Sequence, residues 1–336
     1  MRRRWVLSVV VATVAVLLVG EATARAIGSD LPPLLRYHSY EADLKVHRMD
    51  QLHRSGGADI AFVGTSQVYD IDPSVLPASV DGRTTGYNAA LGSGIPALAS
   101  PWAIHSVLPR LHPKLLVLGL TSYDLSDDSR SLAIADAYLA SKGGQHDLGR
   151  SSLMDDVDHW LAQRSSLWDH RTAMRDPAKV LDAIRGRHTV VDPVAATIQP
   201  TGRPSFDQTQ RFEDRTQAGG GDLRGWAIGT RNVAAVRTLL RDAKAAGVRV
   251  ALLNMPVTAE YIAGHPNGAQ DYARYLTFLQ GLADEEHVTL IDASPLSDHR
   301  YFADEVHLNL TGARVLTPLL VTALRAHGLL DGIVKG

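Results

Sequence analysis

The 336-residue chain contains no cysteine, and this absence excludes several classes of chemistry at once. Without thiols there is no disulfide scaffold, no thiolate metal site and no cysteine nucleophile, and no N-terminal cysteine can carry a lipid. The absence does not assign a compartment, because a chain of this length can bury a core that needs no disulfides even in an oxidising space.

An excess of charge of one sign is also missing. The 34 Lys and Arg residues nearly balance the 36 Asp and Glu residues, which leaves a formal net charge of −2. A nucleic-acid partner is therefore not expected. The 14 histidines form no His-x-x-x-His pair or other evident ligand set, and no nucleotide-binding glycine fingerprint occurs. The sequence thus predicts neither a metal nor a cofactor.

A long apolar run stands at the N-terminus. Three arginines, Arg2 to Arg4, precede the run from Trp5 to Gly20, which Glu21 ends. As a helix the run would measure about 24 Å, somewhat short of a ~30 Å hydrocarbon core. We favour an uncleaved signal anchor in residues 1–25 over a cleaved signal peptide. Because the arginines stay inside, the rest of a single-pass cell-membrane protein would be extracytoplasmic; a secreted protein is the alternative.

Short apolar and β-branched runs recur along the rest of the chain. Runs of this kind, bounded by turn signals, are typical of buried parallel strands, and they occupy residues 58–63, 114–120, 248–254 and 288–292. Helical patterns at 232–246 and 271–286 lie between the later runs. Alternating strands and helices predict a doubly wound α/β sheet.

Two segments depart from this alternation. Residues 26–57 are polar and compatible with helix, and we interpret them as a stem before a main α/β domain at 58–336. Residues from about 126 to 225 are rich in charge, and we interpret them as a large insertion carrying helices near the site. A separate domain is the alternative. Trp160 and Trp168 in this segment are expected to pack in a core rather than to stack on a sugar.

Ser66 follows the first predicted strand directly, in Gly64-Thr65-Ser66. Ligands of open α/β sheets bind beyond the carboxyl ends of the strands. A serine at such a place can present both its hydroxyl and its own backbone N–H to a cleft, which suits a nucleophile that also stabilises an oxyanion. By itself this pattern is more often a helix cap. The second glycine of a Gly-x-Ser-x-Gly elbow is absent, which argues against the α/β-hydrolase fold.

A carboxylate and an imidazole stand near the C-terminus, at Asp304 and His307. Residues at this spacing are neighbours on one helical turn, so the carboxylate can orient the ring while its other nitrogen deprotonates a serine. The pair precedes the last predicted helix. We therefore expect Ser66, His307 and Asp304 to form a catalytic triad, with Asp298-His299 as the principal alternative pair.

Together these motifs resemble those of the SGNH/GDSL hydrolases. Gly64-Thr65-Ser66 and Asp304-x-x-His307 resemble blocks one and five of that superfamily, Tyr87–Gly94 resembles block two, and Gly119–Ser122 falls at block three. The resemblance implies a flavodoxin-like three-layer α/β/α sandwich with a parallel sheet. It also implies Ser-His-Asp chemistry that passes through an acyl-enzyme.

The resemblance implies an oxyanion hole, and here the sequence departs from the family. Its donors would be the N–H of Ser66, the N–H of Gly92 or Gly94, and a side chain of block three. The asparagine of that block is replaced by Thr121, so a hydroxyl of Thr121 or Ser122 would have to donate. With two donors alone, the site would lose about 2.7–4 kcal/mol of transition-state stabilisation.

The variant motifs resemble the DltD-like and alginate-acetylation-like, membrane-anchored branch of the superfamily, over about residues 58–125 and 245–325. This implies an extracytoplasmic serine esterase or O-acyltransferase that acts on acyl groups of cell-surface glycans or related polymers. An acylated carbohydrate or cell-wall polymer would be the substrate, and a membrane-bound acyl-donor protein is a further candidate partner. The alternative is a non-catalytic protein on the same scaffold that binds a glycan or an assembly partner.

Overall fold

The computed structural model describes residues 2–31, 34–186, 197–205, 212 and 223–335. The chain divides into two compact units. The N-terminal unit comprises the described parts of Met1–Tyr40 and Ser141–Ala196, and the α/β unit comprises those of Glu41–Ala140 and Thr197–Gly336. This division differs from the expected one: it places residues 41–57 of the expected stem in the α/β unit, and residues 141–186 of the expected insertion in the N-terminal unit.

Five parallel strands form the sheet of the α/β unit: β1 (Ala58–Val63), β2 (Thr84–Asn88), β3 (Leu115–Leu120), β4 (Arg249–Asn254) and β5 (Thr289–Asp292). Their order is β2-β1-β3-β4-β5, which is the flavodoxin-like order. Every residue of β1 and β3 is buried, as expected of central strands covered on both faces. The predicted flavodoxin-like three-layer α/β/α fold is confirmed.

The strand β2 was not predicted as a strand. It lies at the edge of the sheet, and its first two residues are only half-buried. Its sequence, Thr-Thr-Gly-Tyr-Asn, has no apolar run, because an edge strand needs less apolar surface than a central one. The other four strands coincide with the predicted runs to within one residue at either end.

The α-helices of the described chain are α1 (Arg2–Ile27), α2 (Tyr40–Arg54), α3 (Pro96–Trp102), α4 (Leu108–Leu111), α5 (Ser129–Ala140), α6 (Lys142–Asp147), α7 (Leu153–Ala162), α8 (Ser166–Asp169), α9 (Arg171–Met174), α10 (Pro177–Ile184), α11 (Thr230–Ala245), α12 (Ala259–Ala263), α13 (Ala269–Glu286) and α14 (Leu310–Ala326). Both predicted helical patterns, at 232–246 and 271–286, are helices in α11 and α13. Gly247, just past α11, has a φ of +74°, which suits a glycine at a helix C-terminus.

The helix α1 extends beyond the apolar run. Its Trp5–Ile27 segment is 23 residues long and apolar enough to cross a membrane, although a signal sequence would meet the same criteria. Past the run, the carboxylate of Glu21 accepts hydrogen bonds from the Ser165 hydroxyl at 2.7 Å and from the N–H of Ser166 at 3.1 Å. The end of α1 is therefore tied to the start of α8 inside the N-terminal unit.

Candidate active site

Ser66 opens a short 3₁₀ turn, Ser66–Asp70, immediately after β1. The turn is held from β2, because the Asn88 amide donates to the carbonyls of Val68 at 2.7 Å and Ile71 at 3.0 Å. Gly64 precedes the turn with a φ of +141°, and a Cβ there would lie 2.6 Å from the Gly119 carbonyl oxygen. The approach of β3 thus requires glycine at this position.

The sheet order places Ser66 at a topological switch point. From β1 the chain moves to β2 on one side and then returns to β3 on the other. Right-handed crossovers that run in opposite directions lie on opposite faces of the sheet, and a crevice opens at the carboxyl ends between them. Ser66 follows β1 and Thr121 follows β3, so both stand at that crevice.

The structure brings Ser66, His307 and Asp304 together. The Ser66 Oγ lies 2.8 Å from the His307 Nε2, and the His307 Nδ1 lies 2.9 Å from the Asp304 Oδ2. Asp304 also accepts the backbone N–H groups of Val306 at 2.9 Å and His307 at 2.8 Å. A ring with its proton on Nδ1 satisfies the carboxylate and leaves Nε2 free to accept the serine proton.

The alternative pair is engaged elsewhere. The His299 Nε2 lies 2.8 Å from Glu260 Oε2, and Asp298 accepts the N–H of Arg300 at 3.0 Å. Both side chains belong to an exposed 3₁₀ turn. The contact to Ser66 is made by His307.

The charges of the pair reinforce each other. Burial on its own would lower the pKa of His307, but the hydrogen bond and negative charge of Asp304 outweigh it and raise the pKa above its ordinary value. Burial would raise the pKa of Asp304, but its bonds to His307 and to two backbone N–H groups hold that pKa below its usual range. The arrangement therefore favours an ionised Asp304 and stabilises a positive charge on His307.

A buried carboxylate that the sequence did not single out fixes the position of the His307 loop. Asp70 ends the Ser66 turn, is 1% exposed, and accepts the N–H of Leu308 at 2.9 Å. One side chain thus ties the serine turn to the residue after His307. No sequence pattern announces this role, because the bond joins positions 238 residues apart.

The two glycines expected to supply an oxyanion donor use their N–H groups otherwise. Gly92 donates to Glu41 Oε2 at 3.0 Å, and Gly94 donates to the Leu91 carbonyl at 2.9 Å. Ser93, between them, is exposed and has a φ of +56°. Within the described residues, no group accepts the N–H of Ser93 or that of Ser66. Left-handed residues other than glycine cluster at functional sites.

The hydroxyls of block three also have partners. Thr121 is fully buried, and both its N–H and its Oγ1 lie against Asp124 Oδ2, at 2.7 and 3.0 Å. The Ser122 Oγ, equally buried, lies 2.8 Å from the Tyr261 hydroxyl and 2.8 Å from the His265 Nε2. An oxyanion role for either hydroxyl stays a prediction, and it would require these bonds to be exchanged.

A buried ion pair supports the site from α2. The Glu41 carboxylate accepts the Tyr69 hydroxyl at 2.6 Å and lies 3.1 Å from the Lys45 Nζ, in addition to its bond with Gly92. Lys45 is fully buried and also contacts the Ala90 carbonyl. Removal of one partner of such a pair leaves an uncompensated buried charge. The pair joins the Ser66–Asp70 turn to the loop that follows β2. Its residues lie in the segment that was expected to be a stem.

Comparisons with known proteins add little to this geometry. No protein-family model matches the sequence, and no curated protein matches it. Among solved structures, the chain is similar to a Bacteroides fragilis protein provisionally described as an acylhydrolase, with 12% identity and a TM-score of 0.39 over 84% of this chain and 97% of that one. A likeness this distant supports no argument about function, which rests on the side chains above.

Proposed function

We propose that this protein is an extracytoplasmic serine esterase or O-acyltransferase of the SGNH/GDSL type. The observation that carries the proposal is the hydrogen-bonded series from Ser66 through His307 to Asp304, with distances of 2.8 and 2.9 Å, at the carboxyl end of β1. Three such groups in line are what a serine nucleophile needs for activation. The apolar α1 behind Arg2 to Arg4 supports attachment to a membrane with the site outside.

In the proposed reaction the Ser66 oxygen attacks the carbonyl carbon of an ester while its proton passes to His307 Nε2. The carbonyl oxygen becomes an oxyanion, which accepts hydrogen bonds from the N–H groups of Ser66 and Ser93. His307 then returns the proton to the departing alcohol, and an acyl-Ser66 ester remains. In the second half, His307 deprotonates water or an acceptor hydroxyl, which attacks the acyl group and releases Ser66.

The site is accessible from solvent, as a polymeric substrate requires. Ser66 is half-buried, and the His307 side chain retains 27% of its exposure. An acylated sugar on a polymer could therefore reach the serine from solvent. The resemblance to the DltD-like and alginate-acetylation-like branch supports cell-surface glycans or related polymers as this substrate, with a membrane-bound acyl-donor protein as a partner in the transfer reaction.

A fluorophosphonate probe tests the proposal, because it forms a covalent bond with an activated serine alone. The full-length protein should be labelled, and Ser66→Ala should not. Ser294→Ala, which removes a half-buried hydroxyl that donates to Asp292 on the loop after β5, should be labelled like the parent. Equal labelling of Ser66→Ala would refute the assignment of the nucleophile.

The second candidate is a non-catalytic protein that binds a glycan or an assembly partner. The bonds that occupy the Thr121 and Ser122 hydroxyls favour it, because they remove the third donor from the proposed hole. Two results together would support this candidate over the enzyme. The parent protein would not react with the probe, and the immobilised parent and Ser66→Ala proteins would bind acylated glycan equally.

A further inference from the structure

The N-terminal unit carries a helix whose apolar face is exposed. Along α7, the exposed fractions are 79% for Leu153, 75% for Met154, 43% for Val157 and 52% for Trp160. These residues fall on one side of a helix with 3.6 residues per turn. The expectation that Trp160 packs in a core was wrong. Large exposed apolar patches on soluble surfaces mark sites of interaction.

The polar face of α7 is turned inward instead. Asp158 accepts the Arg171 guanidinium at 2.7 Å and the Trp168 indole N–H at 2.8 Å. The His159 Nδ1 lies 2.6 Å from the Arg36 guanidinium. An amphipathic helix of a globular protein usually buries its apolar face, whereas α7 exposes that face. Its orientation is fixed by ion pairs and hydrogen bonds.

The helix α10 repeats the arrangement. Its Leu181 and Ile184 are 46% and 61% exposed, while Ala183, at 3%, packs with Leu31 and Ala173 in the small core of the unit. Two helices of one unit thus present apolar side chains outward.

The segment that joins α7 to α10 contacts α1 at the end of its apolar run and just beyond it. A Cβ on Gly20 would lie 3.1 Å from the Leu167 side chain, and one on Gly28 would lie 3.1 Å from the His170 ring. Glu21 also bonds to the start of α8, and Ile27 packs against the cluster that contains Ala183 of α10. These contacts place α8 and α10 beside the point where α1 would leave a hydrocarbon core.

We propose that the exposed faces of α7 and α10 insert into the headgroup boundary of the bilayer that α1 crosses. The inference rests on the proposed membrane attachment and adds a second contact with lipid. Amphipathic helices bind this boundary through their apolar faces, and tryptophans are enriched there. Trp160 and Trp168, which is 38% exposed, each lie under an arginine, Arg164 and Arg171, at 4.4 and 4.7 Å from the ring centres. A cation over an amphipathic ring suits a boundary that is part apolar and part ionic.

The absence of cysteine makes a direct test practical, since any introduced thiol is the sole one in the chain. Full-length protein with Val157→Cys or Ile184→Cys is labelled with an environment-sensitive fluorophore and reconstituted in vesicles that contain spin-labelled lipids. Asp156→Cys, at the polar edge of the apolar face of α7, and Lys179→Cys, on the polar side of α10, are the matched controls, and Val10→Cys in α1 reports the anchor. All five positions leave the α/β unit untouched.

We expect lipid quenching at positions 157 and 184 to exceed that at 156 and 179 by about two-fold or more, as for a helix lying in the interface. Quenching at position 10 without excess quenching at 157 and 184 would overturn the inference and leave the anchor standing. A blue-shifted label at 157 that lipid spin labels do not quench would also overturn it, because a protein surface would then cover the face. Absence of quenching at position 10 would refute the membrane attachment itself.

Discussion

Two serine–histidine contacts of equal length lie among the described residues of the α/β unit, and their surroundings differ. The Ser66 Oγ and the Ser122 Oγ each lie 2.8 Å from a histidine Nε2, that of His307 and of His265. The Nδ1 of His307 faces a carboxylate, whereas that of His265 faces the carbonyl oxygen of Ile262 at 3.0 Å. A carbonyl fixes the tautomer but supplies no full negative charge to stabilise an imidazolium.

Burial separates the two contacts further. Ser122 is fully buried and His265 is 4% exposed, and burial lowers the pKa of His265 while the pKa of His307 is raised. The buried serine also shares its hydroxyl with Tyr261, so its oxygen is held in place from two sides. The two pairs thus have the same serine–histidine distance and differ in the group behind the histidine and in access for a substrate.

The largest difference in activity should come from substitutions of the serine and histidine in the Ser66–His307 pair compared with the Ser122–His265 pair. We expect Ser66→Ala and His307→Ala each to lower the kcat for an activated ester by about 10⁴–10⁶-fold, and the double variant to lose little more, because the groups act as a unit. Ser122→Ala should retain most of the activity and should lower the Tm, since it leaves buried partners unsatisfied. Steady-state kinetics and thermal unfolding measure the two results. Equal losses of activity for Ser122→Ala and Ser66→Ala would contradict the comparison.

The carboxylate is the next distinction. Asp304→Asn keeps the shape of the side chain but removes the charge and favours the wrong tautomer of His307, so kcat should fall by about 10⁴-fold. Asp298→Asn, the same change in the pair that does not contact Ser66, is the control and should leave kcat unchanged. A loss confined to Asp298→Asn would shift the assignment to the other pair.

The oxyanion donor proposed at Ser93 should have a smaller effect. Ser93→Pro removes the N–H and should lower kcat by about 10²–10³-fold, the usual cost of one such donor. Because proline also opposes a φ of +56°, Ser93→Gly is the matched control: it keeps the N–H, accepts this φ and should leave kcat nearly unchanged. A large loss in Ser93→Gly would assign the role to the hydroxyl instead of the backbone.

The pH dependence should follow the raised pKa of His307. The ring must be neutral to accept the serine proton, so kcat/KM should rise with pH through an apparent pKa above the ordinary value of about 6.5. Asp304→Asn lacks the carboxylate charge, so the rise of its remaining kcat/KM with pH should occur at lower pH than in the parent. If the apparent pKa of kcat/KM in the parent protein lies at or below the ordinary value, Asp304 does not stabilise the imidazolium.

The last prediction concerns the contribution of Asp124, next to the buried Ser122–His265 pair, to the stability of the fold. Burial raises the pKa of Asp124 to about 7, and its Oδ1 has no partner within the described chain. A carboxyl whose pKa is raised on folding stabilises the fold most below its unfolded pKa of about 3.9, and that contribution declines until pH reaches the folded pKa. The Tm of Asp124→Asn relative to the parent should therefore increase as the pH rises from 4 to 7. A pH-independent difference in Tm would contradict the raised pKa.

The sequence predicted those parts of the molecule that local patterns determine. Four of the five strands are continuous apolar runs, and Ser66 and the Asp304–His307 pair lie in short motifs whose order resembles a known superfamily. Glu41 and Asp70 were missed because their roles depend on tertiary contacts with residues distant in the chain. Ser93, the proposed oxyanion donor, was not singled out because its left-handed backbone, flanked by two glycines, cannot be recognised from its residue type.

The inward-facing Glu41–Lys45 pair also determines how the protein can be shortened. A truncation at the first residue of β1 looks natural from the strand pattern, yet it would delete both charges that join the serine turn to the neighbouring loop. Such a fragment would keep Ser66, His307 and Asp304 but would lose the contacts that hold the Ser66 turn against that loop. A form of the protein shortened from the N-terminus should therefore retain α2 in full, with the cut placed before Tyr40, so that both charges of the pair stay beside the Ser66 turn.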